Sequence, residues 1–219
     1  LDPGWGHCEL FGLVREFRDR NSTCVGATDA NHATTAASAG GTVILPLVAQ
    51  HLEFWGSTLI GDGIGRYGSA QLPDATLRPD GSIAAIRGYD YLAGLHWRLT
   101  PVVTLFAYYG REHVDRTDFT APSQDGTTSY GFGYGSPLFD NSNCLIEGSS
   151  GKCAANTSQI TQGTVGGWWR FYQGPIGNMQ LGLQLSNIKR EVYPGIGGDA
   201  STDFNLGLVS FRYYPLQKN

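Results

Sequence analysis

Residues 179–186 read Met-Gln-Leu-Gly-Leu-Gln-Leu-Ser, with apolar and small or polar residues taking strict turns. A period of two places Met179, Leu181, Leu183 and Leu185 on one face of an extended chain and Gln180, Gly182, Gln184 and Ser186 on the other. A helix would scatter the same residues around its axis. Just upstream, Trp168, Trp169, Phe171 and Tyr172 crowd against a Gly-Pro turn at 173–177. A strand with one greasy face, anchored by aromatics at a turn, is therefore the unit that this chain has to accommodate.

The same period predicts eight strands, at about 7–18, 40–49, 52–64, 86–98, 102–114, 159–172, 178–190 and 202–214. Many exceed the ~5–6 residues of an ordinary strand and match the ~9–11 residues that cross a bilayer at a tilt. Helical periodicity and N-cap signals are largely absent. The connections alternate between long and short. Long loops are expected at 19–39, 65–85, 115–158 and 191–201, and short turns at 50–51, 99–101 and 173–177. A sandwich has no reason to sort its loops by parity, whereas an outer-membrane barrel does, with short periplasmic turns and long extracellular loops. The expected fold class is all-β: an antiparallel transmembrane β-barrel, single-domain over 1–219, with about eight strands in this chain.

Composition agrees. Charged residues make up 16%, below the ~25% of soluble domains, and there are 31 glycines. The net charge of −4, with Lys only at 152, 189 and 218, provides no clustered basic face, which excludes a general nucleic-acid binder. No apolar run reaches the ~18 residues of a membrane helix, and strand-built membrane proteins need none. The opening Leu1-Asp-Pro-Gly-Trp-Gly-His has no signal-peptide pattern, so the chain reads as a mature or trimmed product. Cys144 and Cys153 bracket a Gly/Ser-rich segment and are expected to close a small loop by a disulfide in an oxidising compartment. Cys8 and Cys24 lie near opposite ends of a strand, too far apart to bridge; they are either free or paired elsewhere. No metal site is expected, because C-x-x-C pairs and nearby His are lacking, and Asp118, Asp125 and Asp140 do not have calcium-loop spacing.

The segments PLVAQHLEFWGSTLIGDGIGRYGSAQLPDATLRPDGSIAAIRGYDYL, YGFGYGSPLFDNSNC and TQGTVGGWWRFYQGPIGNMQLGLQLS, with the closing FRYYP, resemble the C-terminal half of porin-like outer-membrane proteins of acidobacterial type. The resemblance covers most of the chain, from about Gly4 to Pro215. It implies location in the outer membrane of a Gram-negative bacterium and a pore. It also implies a full barrel of about sixteen strands, of which these eight would be half. Such barrels usually end on a terminal aromatic, and here the chain continues through Leu-Gln-Lys-Asn219.

Strand parity assigns the candidate pore-lining residues. Asp90, His96, Arg98, Gln162, Arg170, Gln180 and Gln184 face the lumen, and Glu53 and Arg212 join them. Rings of such charges set ion preference, and an Arg turned to lipid would cost roughly 2–4 kcal/mol at mid-bilayer. Trp97, Trp169 and Phe171 are expected in an aromatic girdle at the inner interface, with Trp168 and Tyr172 filling the lower end of the lumen or leaning around it. Strand 102–114 reads either way: Val103, Leu105, Ala107 and Tyr109 outward, with Arg111 and His113 near lipopolysaccharide head groups, or Phe106 and Tyr108 outward with Arg111 inside. Arg15, Arg18 and Arg20 are expected either to form an anion-attracting mouth or to be a solvated rim. The loop at 115–158 is the candidate to fold into the pore.

No catalytic constellation is present: neither G-x-S-x-G nor H-E-x-x-H occurs, and the five His are scattered. The chain is not expected to be an enzyme or to carry a cofactor. The leading expectation is passive diffusion of small hydrophilic solutes and ions across an outer membrane, with lipid and lipopolysaccharide as partners and a homotrimer as the assembly. The alternatives are a structural or adhesive surface barrel and a secreted β-sandwich binding protein.

Overall fold

A computed structural model describes residues 5–21, 30–123 and 126–215. Among them the fold is all-β and antiparallel. Eight long strands form one meander: β1 (His7–Asn21), β2 (Ala30–Val48), β3 (Leu52–Asp62), β6 (Arg87–Thr100), β7 (Val103–Val114), β10 (Thr157–Gly174), β11 (Gly177–Val192) and β12 (Ser201–Pro215), each hydrogen-bonded to the next. Four short strands decorate the long connections: β4 (Ala75–Leu77) pairs with β5 (Ile83–Ala85), and β8 (Thr117–Pro122) with β9 (Ser129–Tyr134). Among the described residues the main sheet is not closed; β1 and β12 each pair on one side only. The eight long strands coincide with those expected from the period of two.

One boundary differs by more than three residues. Residues 30–39, read from sequence as loop, belong to β2 and pair with β1 from Asn21↔Ala30 to Gly12↔Ala39. This stretch is built of Ala, Thr, Ser and Gly, so its two faces differ too little in polarity to register as a strand. Its partner in the ladder supplies the order that the side chains do not signal.

The ladder is sheared in one direction. Leu52, the first residue of β3, is in register with Trp97, Leu105, Gly167 and Leu183 in turn. Leu183 stands six residues beyond Gly177, the first residue of its own strand. Six residues are about 20 Å along a strand, against about 19 Å across the four inter-strand steps, so the strands lean about 45° from the line joining the short turns.

Paired residues share a face, so the register divides the sheet into two. One face carries Leu52, Phe54, Ala93, Leu95, Trp97, Leu105, Ala107, Val165, Trp169, Leu181, Leu183, Leu185, Val209 and Phe211. It is almost wholly apolar and largely exposed, with Leu183 57%, Leu185 56%, Trp169 54% and Phe211 61% accessible. The opposite face holds the polar residues, and these are the more buried: Ser186 is 4% exposed, Asn178 6% and Thr164 8%. The contrast is sharpest in β6, β10 and β11. In the outer strands it breaks down, since Phe11, Leu13, Leu206 and Leu208 fall on the mixed face.

The small apolar core sits at the long-loop end. Ile64, Leu72, Ile83, Ala84, Ile86 and Val114 are buried there, with Ala70, Tyr134 and Ile160 packed against the cluster of Leu72, Ile86 and Val114. The core therefore joins connection 63–86 to the mixed face of the sheet. It does not lie between two layers.

Candidate functional site

All nine candidate lining residues fall on the mixed face. Glu53 pairs with His96, Asp90 with Glu112, and Gln162 with Gly110. Arg170, Gln180 and Arg212 form one lateral row across three strands. Gln184, Thr164 and Ser186 form a linked polar strip, in which Gln184 Nε2 donates to Ser186 Oγ at 3.2 Å and the two hydroxyls lie 2.9 Å apart. Gln162 Nε2 donates to Thr164 Oγ1 at 3.0 Å.

At the short-turn end the charges are mainly basic. Arg98 Nη2 lies 3.1 Å from Glu53 Oε1, which neutralises that pair. Arg170 donates from Nη1 to the Pro101 carbonyl at 3.3 Å. The Arg212 guanidinium lies 3.8 Å from the centre of the Trp168 ring. His96 stacks on Trp55 with centroids 5.0 Å apart and contacts Tyr108 through its Nε2.

The aromatic rings on this face lie over neighbouring glycines. A Cβ at Gly182 would fall 2.6 Å from the Trp168 ring, one at Gly166 2.5 Å from Phe106, and one at Gly94 2.3 Å from Tyr108. Glycine leaves a flat patch of backbone on which a large ring can rest. The rings thus become part of that face's surface.

At the long-loop end, connection 63–86 folds onto the same face. Asp74 is its anchor: its carboxylate contacts Arg15 Nη1 at 3.1 Å and the Arg66 Nε, and accepts the Arg66 backbone N–H at 2.8 Å. Arg15 also donates to the Gly63 carbonyl at 2.6 Å. Glu112 accepts the backbone N–H groups of Ser69 at 2.6 Å and Ala70 at 2.9 Å. Thr34 Oγ1 donates to the Ile83 carbonyl at 2.9 Å. The segment folded onto the mixed face is thus 63–86; the sequence had suggested 115–158 as the segment to enter a pore. Segment 115–156 stacks against it through Tyr134 and through Phe119, which lies under the Arg78 guanidinium at 5.7 Å. Elsewhere it bridges to 193–200, where Asn141 Nδ2 donates to the carbonyls of Tyr193 at 3.0 Å and Gly198 at 3.1 Å.

Two tyrosines seal that cap. Tyr134 Oη donates to the Thr157 carbonyl at 2.7 Å, and Tyr193 Oη donates to the Val114 carbonyl. Burial, which disfavours the phenolate, pushes each hydroxyl up to about 12. The expected disulfide joins Cys144 and Cys153 in this same cap.

Other expectations fare variously. Trp97, Trp169 and Phe171 are exposed on the apolar face next to the short turns. Phe171 meets Phe211 with ring centroids 6.3 Å apart. Trp168 stays on the mixed face, whereas a register shift between Arg170 and Tyr172 pairs Tyr172 with Met179. A bulge of this kind moves a residue across the sheet, which strict alternation cannot foresee. Strand β7 takes its first parity: Val103, Leu105, Ala107 and Tyr109 share the apolar face, and Arg111 and His113 lie above them. There Arg111 bonds Gln159, which bonds Glu191, and Lys189 Nζ reaches Glu191 at 2.8 Å. Arg15 and Arg18 do not form a common mouth, because odd and even positions of β1 face opposite ways. Arg18 pairs instead with Glu16 at 2.7 Å. Cys24, Asp125 and the Arg20 side chain lie outside the described residues.

Sequence reasoning missed the anchors Asp74 and Glu112 and singled out Arg15 only as part of a mouth or rim. Asp74 sits in an irregular loop without periodicity, and Glu112 in the strand whose parity was open. Among the described residues no helix is long and apolar enough to cross a membrane. Comparison with protein families, with curated proteins and with solved structures finds no match to the chain.

Proposed function

We propose that the chain forms the wall of an outer-membrane β-barrel, porin-like in function, through which small hydrophilic solutes diffuse passively. The observation that carries this reading is the inverted polarity of the sheet: apolar side chains are exposed while Ser186, Asn178 and Thr164 are buried. In water this arrangement is costly at about 25 cal/mol per Å² of apolar surface left wet. In lipid it is the favourable one.

Geometry supports the same reading. A lean of about 45° is close to the ~35–45° of transmembrane barrel strands. Along β6 the apolar face runs from Tyr89 to Trp97, about 26 Å of strand, which at that tilt is roughly 18 Å of height with rings at both borders. Transmembrane barrels carry an apolar band ~25 Å tall between aromatic girdles. The polar belt of Arg111, Gln159, Lys189 and Glu191 above the tyrosines suits lipopolysaccharide head groups. Segment 63–86 would narrow the lumen near its outer mouth. A secreted sandwich would need a second sheet against Leu181, Leu183 and Leu185, and among the described residues none lies there.

Planar bilayers test the channel. Reconstituted protein is expected to give discrete conductance steps. Protein that inserts yet never conducts would leave the structural or adhesive reading in its place.

A further inference from the structure

The lateral row at the short-turn end has chemistry that lining a channel does not require. Arg170 on β10, Gln180 on β11 and Arg212 on β12 stand side by side on the mixed face. Among the described residues neither arginine pairs with a carboxylate; the nearby Glu53 is engaged by Arg98 at 3.1 Å. Both heads are held from behind. The Trp168 ring rests over Gly182 of β11, and the Arg212 head lies 3.8 Å above that ring, which draws it back across β11. Arg170 is tethered by one nitrogen to the Pro101 carbonyl at 3.3 Å, while its buried Nε has no hydrogen-bond partner. A buried guanidinium N–H without an acceptor is costly unless a ligand supplies one.

We infer that Arg170, Gln180 and Arg212 form a binding site for the phosphoryl group of a small solute. Guanidinium groups are weakly hydrated, fork-shaped donors suited to oxyanions. Here the register places one on each side of a central amide. A tetrahedral group with three terminal oxygens can accept from both forks and the amide at once, whereas a planar carboxylate has two oxygens to share. The ring under Arg212 keeps that head in place without consuming its edge donors. The inference rests on the proposed reading in taking this face as wet.

The test is calorimetric titration of the full chain in detergent with inorganic phosphate at low salt, with succinate as the carboxylate comparison. Saturable phosphate binding is expected, weakened about tenfold or more in the R170Q/R212Q double variant. The E53Q/R98Q variant, which removes a neutral pair, should bind as the parent does. Should the glutamine variant fail to fold, R170K/R212K keeps the charge, loses the forks and should still bind more weakly. Absence of saturable binding, equal binding by the lysine variant, or succinate binding as tight as phosphate each overturns the site. Conductance is measured separately. A conducting protein that ignores phosphate sinks this site alone, and one that binds phosphate but never conducts sinks the channel alone.

Discussion

Gly182 shows how a single missing side chain organises its neighbours. Its bare backbone lets the Trp168 ring lie flat, and the ring in turn supports Arg212. Replacing Gly182 with Ala would put a methyl group 2.6 Å from the Trp168 ring, which must shift to admit it. An overpacking cost of about 1–3 kcal/mol is expected, read as a lower unfolding midpoint in denaturant, and phosphate binding should weaken with it. An unchanged midpoint would mean that the ring has another place to go. Tyr134 and Tyr193 make the second residue-scale prediction. Their folded values of about 12 stand above the ~10 of an exposed tyrosine. The neutral phenols therefore stabilise the loop cap fully below pH ~10, and that contribution is lost as pH rises toward about 12. Absorbance of ionised tyrosine should show a late-titrating class, with amide exchange in the cap quickening over the same window. A titration completed near pH 10 would contradict it.

Among the elements, connection 63–86 behaves as a structured insert held at defined points. Its Asp74 carboxylate is nearly buried between Arg15 and Arg66. Asp74→Ala leaves the half-buried Arg15 charge without a counterion, which is expected to cost about 3 kcal/mol of local stability. Amides of 63–86 should then exchange faster, and reconstituted protein should pass a larger and noisier current. Unchanged exchange would show that the Glu112 contacts and the buried Ile64, Leu72 and Ile86 suffice to hold the segment. The strands themselves were legible because one face of each is consistently apolar, and β6, β10 and β11 needed only alternation to be placed. Residues 30–39 were not, because Ala, Thr and Ser present similar surfaces on both faces. The fold of 63–86 onto the mixed face was not legible either. It depends on contacts from Asp74 to Arg15 and from Ser69 to Glu112, across 59 and 43 residues of chain, which no local pattern encodes.

For the molecule as a whole, the unpaired edges of β1 and β12 carry the sharpest consequence of the membrane reading. Open N–H and C=O groups are not tolerated in hydrocarbon. Both edges must therefore be paired when the sheet is inserted, within the chain or with further strands. In lipid vesicles the β12 amides that point away from β11 should exchange as slowly as those of β11 itself; rapid exchange along that edge would count against insertion. The mixed-face Leu206 and Leu208 beside Phe211 and Val209 leave β12 apolar on both sides, which suits a strand with neighbours on each flank better than an exposed border.

By itself the sequence determined the eight long strands in outline, their order, the opposite sides on which Leu181, Leu183 and Leu185 and Gln180 and Gln184 fall, and the Cys144–Cys153 bridge. These follow from a backbone repeat of two residues and from short chain separations, both local properties. The tertiary structure alone decided which segment covers the mixed face, that Arg15 and Arg18 part company, that a bulge pairs Tyr172 with Met179, and that Arg170 and Arg212 flank Gln180 without a counter-charge. Those outcomes depend on register between strands far apart in the chain, where a shift of one residue exchanges the two faces.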